Sequence, residues 1–303
     1  MESVKLENPV FILGHSRSGT TYLHYLLCKD PQFAFCSVYE SLMPWAFLSA
    51  GSLLKAIMRK ALPETRPMDN VKLKAESPKE EEFALGCMGV ESMITGYFFP
   101  RIIYDTFRKY VLFDSKTDAR KWQNNLMYFM KKLTLKYGPK PLLLKSPANL
   151  GRVKEILEIF PQAKFIHIHR DPYTVFKSNE RLYEKTLPMM TFQHFDEKHI
   201  QHFIKHSYID TFTKYFKEKK LIPNGNLAEI SYEKFVGDEV KYLQEIYRQL
   251  GFSGFETALP FFECELQSQK NYQTNRYELT DEEKSEIYEN WKMVFDELGY
   301  SGE

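Results

Sequence analysis

The sequence predicts an α/β fold: a central parallel sheet of about five strands, flanked by helices and extended by helical insertions. Three observations predict it. Pro9-Val10-Phe11-Ile12-Leu13, Pro141 to Lys145 and Ala163 to His169 are short, continuously apolar runs. Each is followed by a segment with apolar residues at helical spacing: Thr20 to Cys28, Val153 to Phe160 and Tyr173 to Leu182. A glycine, Gly14, punctuates the first junction. Runs without polar alternation suit strands covered on both faces, which is how parallel sheets are built.

In chain order, the first run is a strand ended by Gly14, and Thr20 opens a helix. A second strand is expected near Phe33 to Cys36. Residues 42–137 then form a long helical insertion, Pro141 to Lys145 a third strand, and Ala163 to His169 a fourth. Residues 183–220 form a second helical insertion. Leu227 to Ile230 is the fifth strand and leads into one helix over Tyr232 to Leu250, and a final helix runs to Tyr300. There is no linker, repeat or low-complexity tract, so residues 1–303 read as one domain.

Bulk properties narrow the classes. Lys+Arg 41 against Asp+Glu 40 leaves a net charge of +1, without the global field that draws a protein to nucleic acid. Cys28, Cys36, Cys87 and Cys264 show no metal-ligand spacing and read as buried thiols of a reducing compartment. The charged N-terminus is too short for a signal peptide, so a cytoplasmic location is expected. Ser41 to Leu54 is the longest uncharged stretch, interrupted by Pro44 and Gly51 and short of the roughly 20 residues that span a bilayer. It reads as a buried helix or pocket wall, with interfacial membrane contact as the alternative.

Gly14-His15-Ser16-Arg17-Ser18-Gly19-Thr20-Thr21 lies between a strand and a helix. Two glycines separated by four residues let successive backbone N–H groups turn inward around an anion, and the helix N-terminus adds positive partial charge. The sheet is therefore of P-loop type. Nucleotide kinases carry a lysine after the second glycine, and here that position is Thr20. Transfer of a terminal phosphoryl group is disfavoured, while Arg17 can stabilise charge on a different transferring group.

Arg17-Ser18-Gly19-Thr20-Thr21 resembles the first signature of the sulfotransferases that use 3′-phosphoadenosine 5′-phosphosulfate (PAPS). Phe165 to Ser178, containing Arg170-Asp171-Pro172, resembles the second. The resemblance implies that Arg17, Ser18, Gly19, Thr20 and Thr21 hold the 5′-phosphate, and that Arg170 and Ser178 grip the 3′-phosphate. Leu144-Lys145-Ser146-Pro147 resembles an element of the tyrosylprotein branch and its bacterial relatives, which places Lys145 near the leaving oxygen. Tyr232-Glu233-Lys234-Phe235-Val236 and, more loosely, Asn275-Arg276-Tyr277 resemble later cofactor-binding segments, implicating Tyr232 and Arg276. The insertions would then form the acceptor pocket. Arg17 in place of lysine and the lack of a clear Arg-Lys-Gly motif separate the chain from the cytosolic drug-and-hormone enzymes.

By analogy with phosphoryl transfer, sulfuryl transfer runs in line through a loose transition state, so positioning and charge stabilisation dominate and no metal is obligatory. PAPS would leave as 3′-phosphoadenosine 5′-phosphate (PAP), with Arg17 and Lys145 beside the bridging oxygen. The acceptor hydroxyl needs a base. Glu40 resembles the catalytic glutamate of the tyrosylprotein branch, and His15 on the loop competes with it. Glu80, Glu81 and Glu82 read as helix-start charges, one of which could line the acceptor side. Aromatic segments at residues 44–48, 96–100 and 189–192 favour a hydrophobic alcohol, such as a sterol or other lipid-like small molecule, as acceptor. The rival readings are a P-loop kinase and a non-catalytic nucleotide-binding module. The sequence leaves a homodimer open.

Overall fold

The computed structural model describes residues 3–65, 73–268 and 279–302. Strands β1 (Val10–Leu13), β2 (Ala34–Phe35), β3 (Leu142–Lys145), β4 (Lys164–His169) and β5 (Leu227–Ser231) form one sheet in the order β2-β3-β1-β4-β5. Every pairing is parallel. In register, Ile12 lies opposite Lys145 and Leu13 opposite His167.

The helices follow as α1 (Thr20–Leu27), α2 (Val38–Leu42), α3 (Gly51–Ala61), α4 (Glu81–Met88), α5 (Ile94–Phe98), α6 (Ile103–Phe107) and α7 (Lys116–Tyr137). After β3 come α8 (Val153–Ile159), α9 (Pro172–Met190) and α10 (Glu197–Glu218), and after β5 come α11 (Tyr232–Phe235), α12 (Glu239–Leu250), α13 (Phe255–Ser268) and α14 (Asp281–Leu298).

Successive strand side chains point to opposite faces, and the core divides accordingly. Phe11, Leu13, Leu142, Leu144 and Phe165 join a larger cluster with Trp122 of α7, Tyr208 of α10 and Trp291 of α14. Val10, Ile12, Leu143, Ile166 and Ile168 join a smaller one with Leu23 of α1, Leu243 of α12 and Phe262 of α13. Covering both faces is what makes the strands uniformly apolar: β1 and β3 are buried throughout.

Three elements differ from the expectation. The second strand shrinks to two residues because the chain leaves β3 and bonds to residues 75–79 instead: Lys79 N–H donates to Cys36 O at 2.8 Å and Val38 N–H to Ser77 O at 2.9 Å. The helix expected over Tyr232 to Leu250 breaks into α11 and α12, since Gly237 adopts φ 101° between them, a left-handed conformation that suits glycine. The uncharged stretch from Ser41 is only partly a buried wall. Ser41 and Phe47 are buried, whereas Trp45, Leu48 and Leu53 are exposed. Among the described residues no helix is long and apolar enough to cross a membrane.

Candidate active site

Parallel register aligns the C-terminal ends of β1, β3, β4 and β5, so Gly14, Ser146, Arg170 and Tyr232 each follow a strand directly on one edge of the sheet. Ligands of open α/β sheets bind there, outside the carboxyl ends of the strands where the order reverses. Here the reversal centres on β1, with β3 on one side and β4 on the other.

The β1–α1 loop has left-handed backbone at Arg17 (φ 73°) and Gly19 (φ 90°). Ser18 N–H donates to His15 O at 3.2 Å, closing the turn, and Asn179 Nδ2 of α9 donates to Ser16 O at 3.2 Å, pinning it from outside. Gly19 is needed twice over, for its φ and because a Cβ would overlap the ring of Tyr232. Ser18 and Thr20 are buried beneath the loop.

Four residues singled out from the sequence meet around this loop. Arg17 Nε donates to Ser178 Oγ at 2.8 Å. The Arg170 guanidinium lies 4.3 Å from the Tyr232 ring centroid, and its Nη1 is 3.5 Å from Arg17 O. Asp171 follows Arg170 at the start of α9. Its carboxylate caps α9, accepting from Thr174 N at 2.8 Å and Thr174 Oγ1 at 2.6 Å. Arg276 lies outside the described residues.

Lys145 ends β3 with its side chain only 3% exposed. Its Nζ donates to Glu80 Oε1 at 2.5 Å and to Thr21 Oγ1 at 3.3 Å, joining α4 to the phosphate loop. The three consecutive glutamates at the start of α4 thus have different tasks. Glu81 accepts from Lys145 N at 3.1 Å and Asn149 Nδ2 at 2.5 Å, and burial raises its pKa to about 7. Glu82 pairs with Arg152 at 2.5 Å and accepts from Ser92 Oγ and Met93 N at 2.8 and 2.9 Å. Arg152 also donates to Tyr110 O. Spacing alone could not separate these roles, because Asn149, Lys145 and Arg152 reach α4 only after β3 has inserted beside β1.

Of the two expected bases, Glu40 is fully buried. One oxygen accepts from Ser37 N at 2.7 Å in a capping box that starts α2, and the other pairs with Lys136. Burial raises the pKa of the nearby Tyr137, and the charge of the same carboxylate adds to the rise. His15 lines a cleft beside the loop together with Ser16, Met93, Phe107, Tyr183 and Phe203. Its Nδ1 lies 3.2 Å from Ser16 O, and burial lowers its pKa to about 4, so the ring is neutral at neutral pH. The aromatic segments scatter: Tyr97 packs on Tyr183 beside the cleft, while Phe98 and Phe99 pack on the exposed Phe192.

Comparison with known proteins agrees with this geometry. The model of the Sulfotransferase family matches residues 9–256. Omega-hydroxy-beta-dihydromenaquinone-9 sulfotransferase Stf3 of Mycobacterium bovis is 32% identical over 306 residues, covering 99% of this chain and 77% of that protein. Its Mycobacterium tuberculosis counterpart matches equally. Among solved structures, sulfotransferase STF9 from Mycobacterium avium shares the fold with TM-score 0.77 at 17% identity, covering 98% of this chain and 78% of that one. Sulfotransferase STF1 from Mycobacterium tuberculosis H37Rv gives 0.66 at 17% identity, over 96% and 78%. A family match running from β1 to the start of α13, over a sheet edge where both phosphate motifs converge, means that the chain belongs to the sulfotransferase family and is a sulfotransferase.

Proposed function

We propose that the protein moves the sulfuryl group of PAPS to the hydroxyl of a hydrophobic, lipid-like alcohol and releases PAP. The observation that carries the donor half is the convergence of Arg17, Ser178, Arg170 and Tyr232, which lie up to 215 positions apart in the sequence. Two guanidiniums beside a glycine loop and a helix N-terminus suit an anion in a chain whose net charge is only +1. In this reading Ser18, Gly19, Thr20 and Thr21 hold the 5′-phosphate, Arg170 and Ser178 the 3′-phosphate, and Tyr232 the Arg170 plane. Arg17 and Lys145 meet the charge that grows on the bridging oxygen. Arg276 would add a contact from the segment outside the described residues. Four unpaired cysteines suit a reducing compartment, and the sheet with its two covered faces reads as a single domain.

The acceptor half rests on the cleft beside His15 and Ser16, whose wall is Met93, Phe107, Tyr183 and Phe203. Relatives at 32% identity are named for an omega-hydroxylated dihydromenaquinone, a hydroxyl on a long apolar molecule. A mass-resolved screen with labelled PAPS over sterols, long-chain alcohols, phenols, sugars and peptides tests it. Preferential labelling of a sugar or peptide would overturn the acceptor assignment.

The donor assignment has its own test. Arg170→Ala should weaken PAP binding by about 10- to 100-fold, the worth of a charge-assisted contact, and leave adenosine 5′-phosphate binding unchanged by calorimetry. Equal losses for both ligands would remove Arg170 from the 3′-phosphate.

A further inference from the structure

We propose that Glu80 is the general base that takes the acceptor's proton, the role for which Glu40 and His15 were the sequence-based candidates. This rests on the hydroxyl-acceptor reading above and names the residue that acts in it.

A base must be reachable by the substrate and within hydrogen-bond range of its hydroxyl. Four carboxylates surround the β2–α2 and α4 region, and accessibility separates them. Glu40, Glu81 and Glu82 are 0%, 1% and 2% exposed, whereas the Glu80 side chain is 25% exposed. The buried three are committed to structure: Glu40 caps α2 and pairs with Lys136, Glu81 holds the backbone after β3, and Glu82 holds Arg152. Glu80 instead faces the phosphate loop through Lys145, whose ammonium is 2.5 Å from Glu80 Oε1 and 3.3 Å from Thr21 Oγ1. Burial raises the pKa of Tyr97 and of the cleft-lining Tyr183, and the charge of Glu80 adds to the rise in both. His15 lines the cleft too, with its Nδ1 held 3.2 Å from Ser16 O and its ring packed edge-on against Tyr208.

The step balances as follows. The acceptor O–H proton passes to a Glu80 carboxylate oxygen while the hydroxyl oxygen forms a bond to sulfur. The bond between sulfur and the 5′-phosphate oxygen breaks, and its electron pair stays on PAP, where Lys145 meets it. Glu80 then returns the proton to water. Lys145 serves both ends, since the ammonium that orients the base also reaches the loop that would hold the leaving phosphate.

The experiment compares wild type with Glu80→Gln, using 1-dodecanol and 4-nitrophenol as acceptors, with PAP binding measured by calorimetry. Glu80→Gln should bind PAP as wild type does and lose about 100-fold or more in transfer to the alkanol. It should lose less than about tenfold with 4-nitrophenol, which ionises readily and needs no base. Formate should restore part of the alkanol rate to Glu80→Ala. Equal losses with both acceptors, an unchanged rate or no formate rescue would overturn the assignment and leave the sulfotransferase reading standing. A wild-type protein that binds PAP and sulfates neither compound would instead overturn the hydroxyl-acceptor reading, and the base with it.

Discussion

At the residue scale, the cofactor side was legible because its chemistry is local. A glycine five positions after Gly14, Arg17 inside the loop and Arg170 at the end of β4 follow from backbone and charge requirements that short stretches express by themselves. The acceptor side was not. Glu80 reads as one of three helix-start acids, and only the insertion of β3 beside β1 gives it Lys145 while giving Glu81 and Glu82 to Asn149 and Arg152. The tightest residue-level constraint is Gly19, with its φ of 90° and the Tyr232 ring where a Cβ would go. Gly19→Ala should displace Tyr232 and the Arg170 stacked on it, weakening PAP binding by at least about tenfold while secondary structure is retained. Calorimetry beside circular dichroism checks this, and unaltered affinity would mean that Tyr232 and Arg170 do not shape the site.

At the element scale, capping decides how short helices survive at the site. The five-residue α2 begins with the reciprocal Ser37–Glu40 box, and α4 begins at Glu80 with two buried acids in its first turn. Helix α2 is too short to persist on propensity alone, so Glu40 is structural here, tying the box to Lys136 of α7. Glu40→Gln should lower stability by about 2 kcal/mol, less than a fully buried pair would cost, because the Lys136 side chain is 27% exposed. It should leave PAP affinity and the contrast between alkanol and phenol unchanged. Thermal unfolding and the two-acceptor assay check this, and loss of alkanol transfer alone would return the base to Glu40. The strand shortening at β2 belongs to this scale too: the sequence marks an apolar run there, and the competing partner, residues 75–79, is about 40 positions away.

At the scale of the whole molecule, burial of ionisable groups sets the pH dependence of stability. Burial lowers His15 to about 4, His24 to about 3 and His169 to about 3 from an ordinary 6.5. The unfolded chain therefore binds more protons below pH 6.5, and the stability these rings contribute is lost as pH falls through 6.5 toward 4. Glu81, raised from 4.5 to about 7, acts oppositely, contributing stability at low pH that is lost as pH rises to 7. At about 1.4 kcal/mol per unit, three histidines outweigh one glutamate. Denaturant midpoints should fall by an amount worth several kcal/mol between pH 6.5 and 4, and a flat profile would show that the rings are hydrated in the folded state. The sequence by itself determined the α/β class, the strand order along the chain and the two motifs that meet at the carboxyl edge of the sheet, because apolar periodicity and glycine loops act over a few residues. Only the tertiary structure decided which of the neighbouring carboxylates is buried and which stays accessible. Two face clusters closing around one parallel sheet bury Glu40, Glu81 and Glu82 in structural contacts and leave Glu80 partly exposed beside Lys145, a sorting by burial that no local pattern encodes.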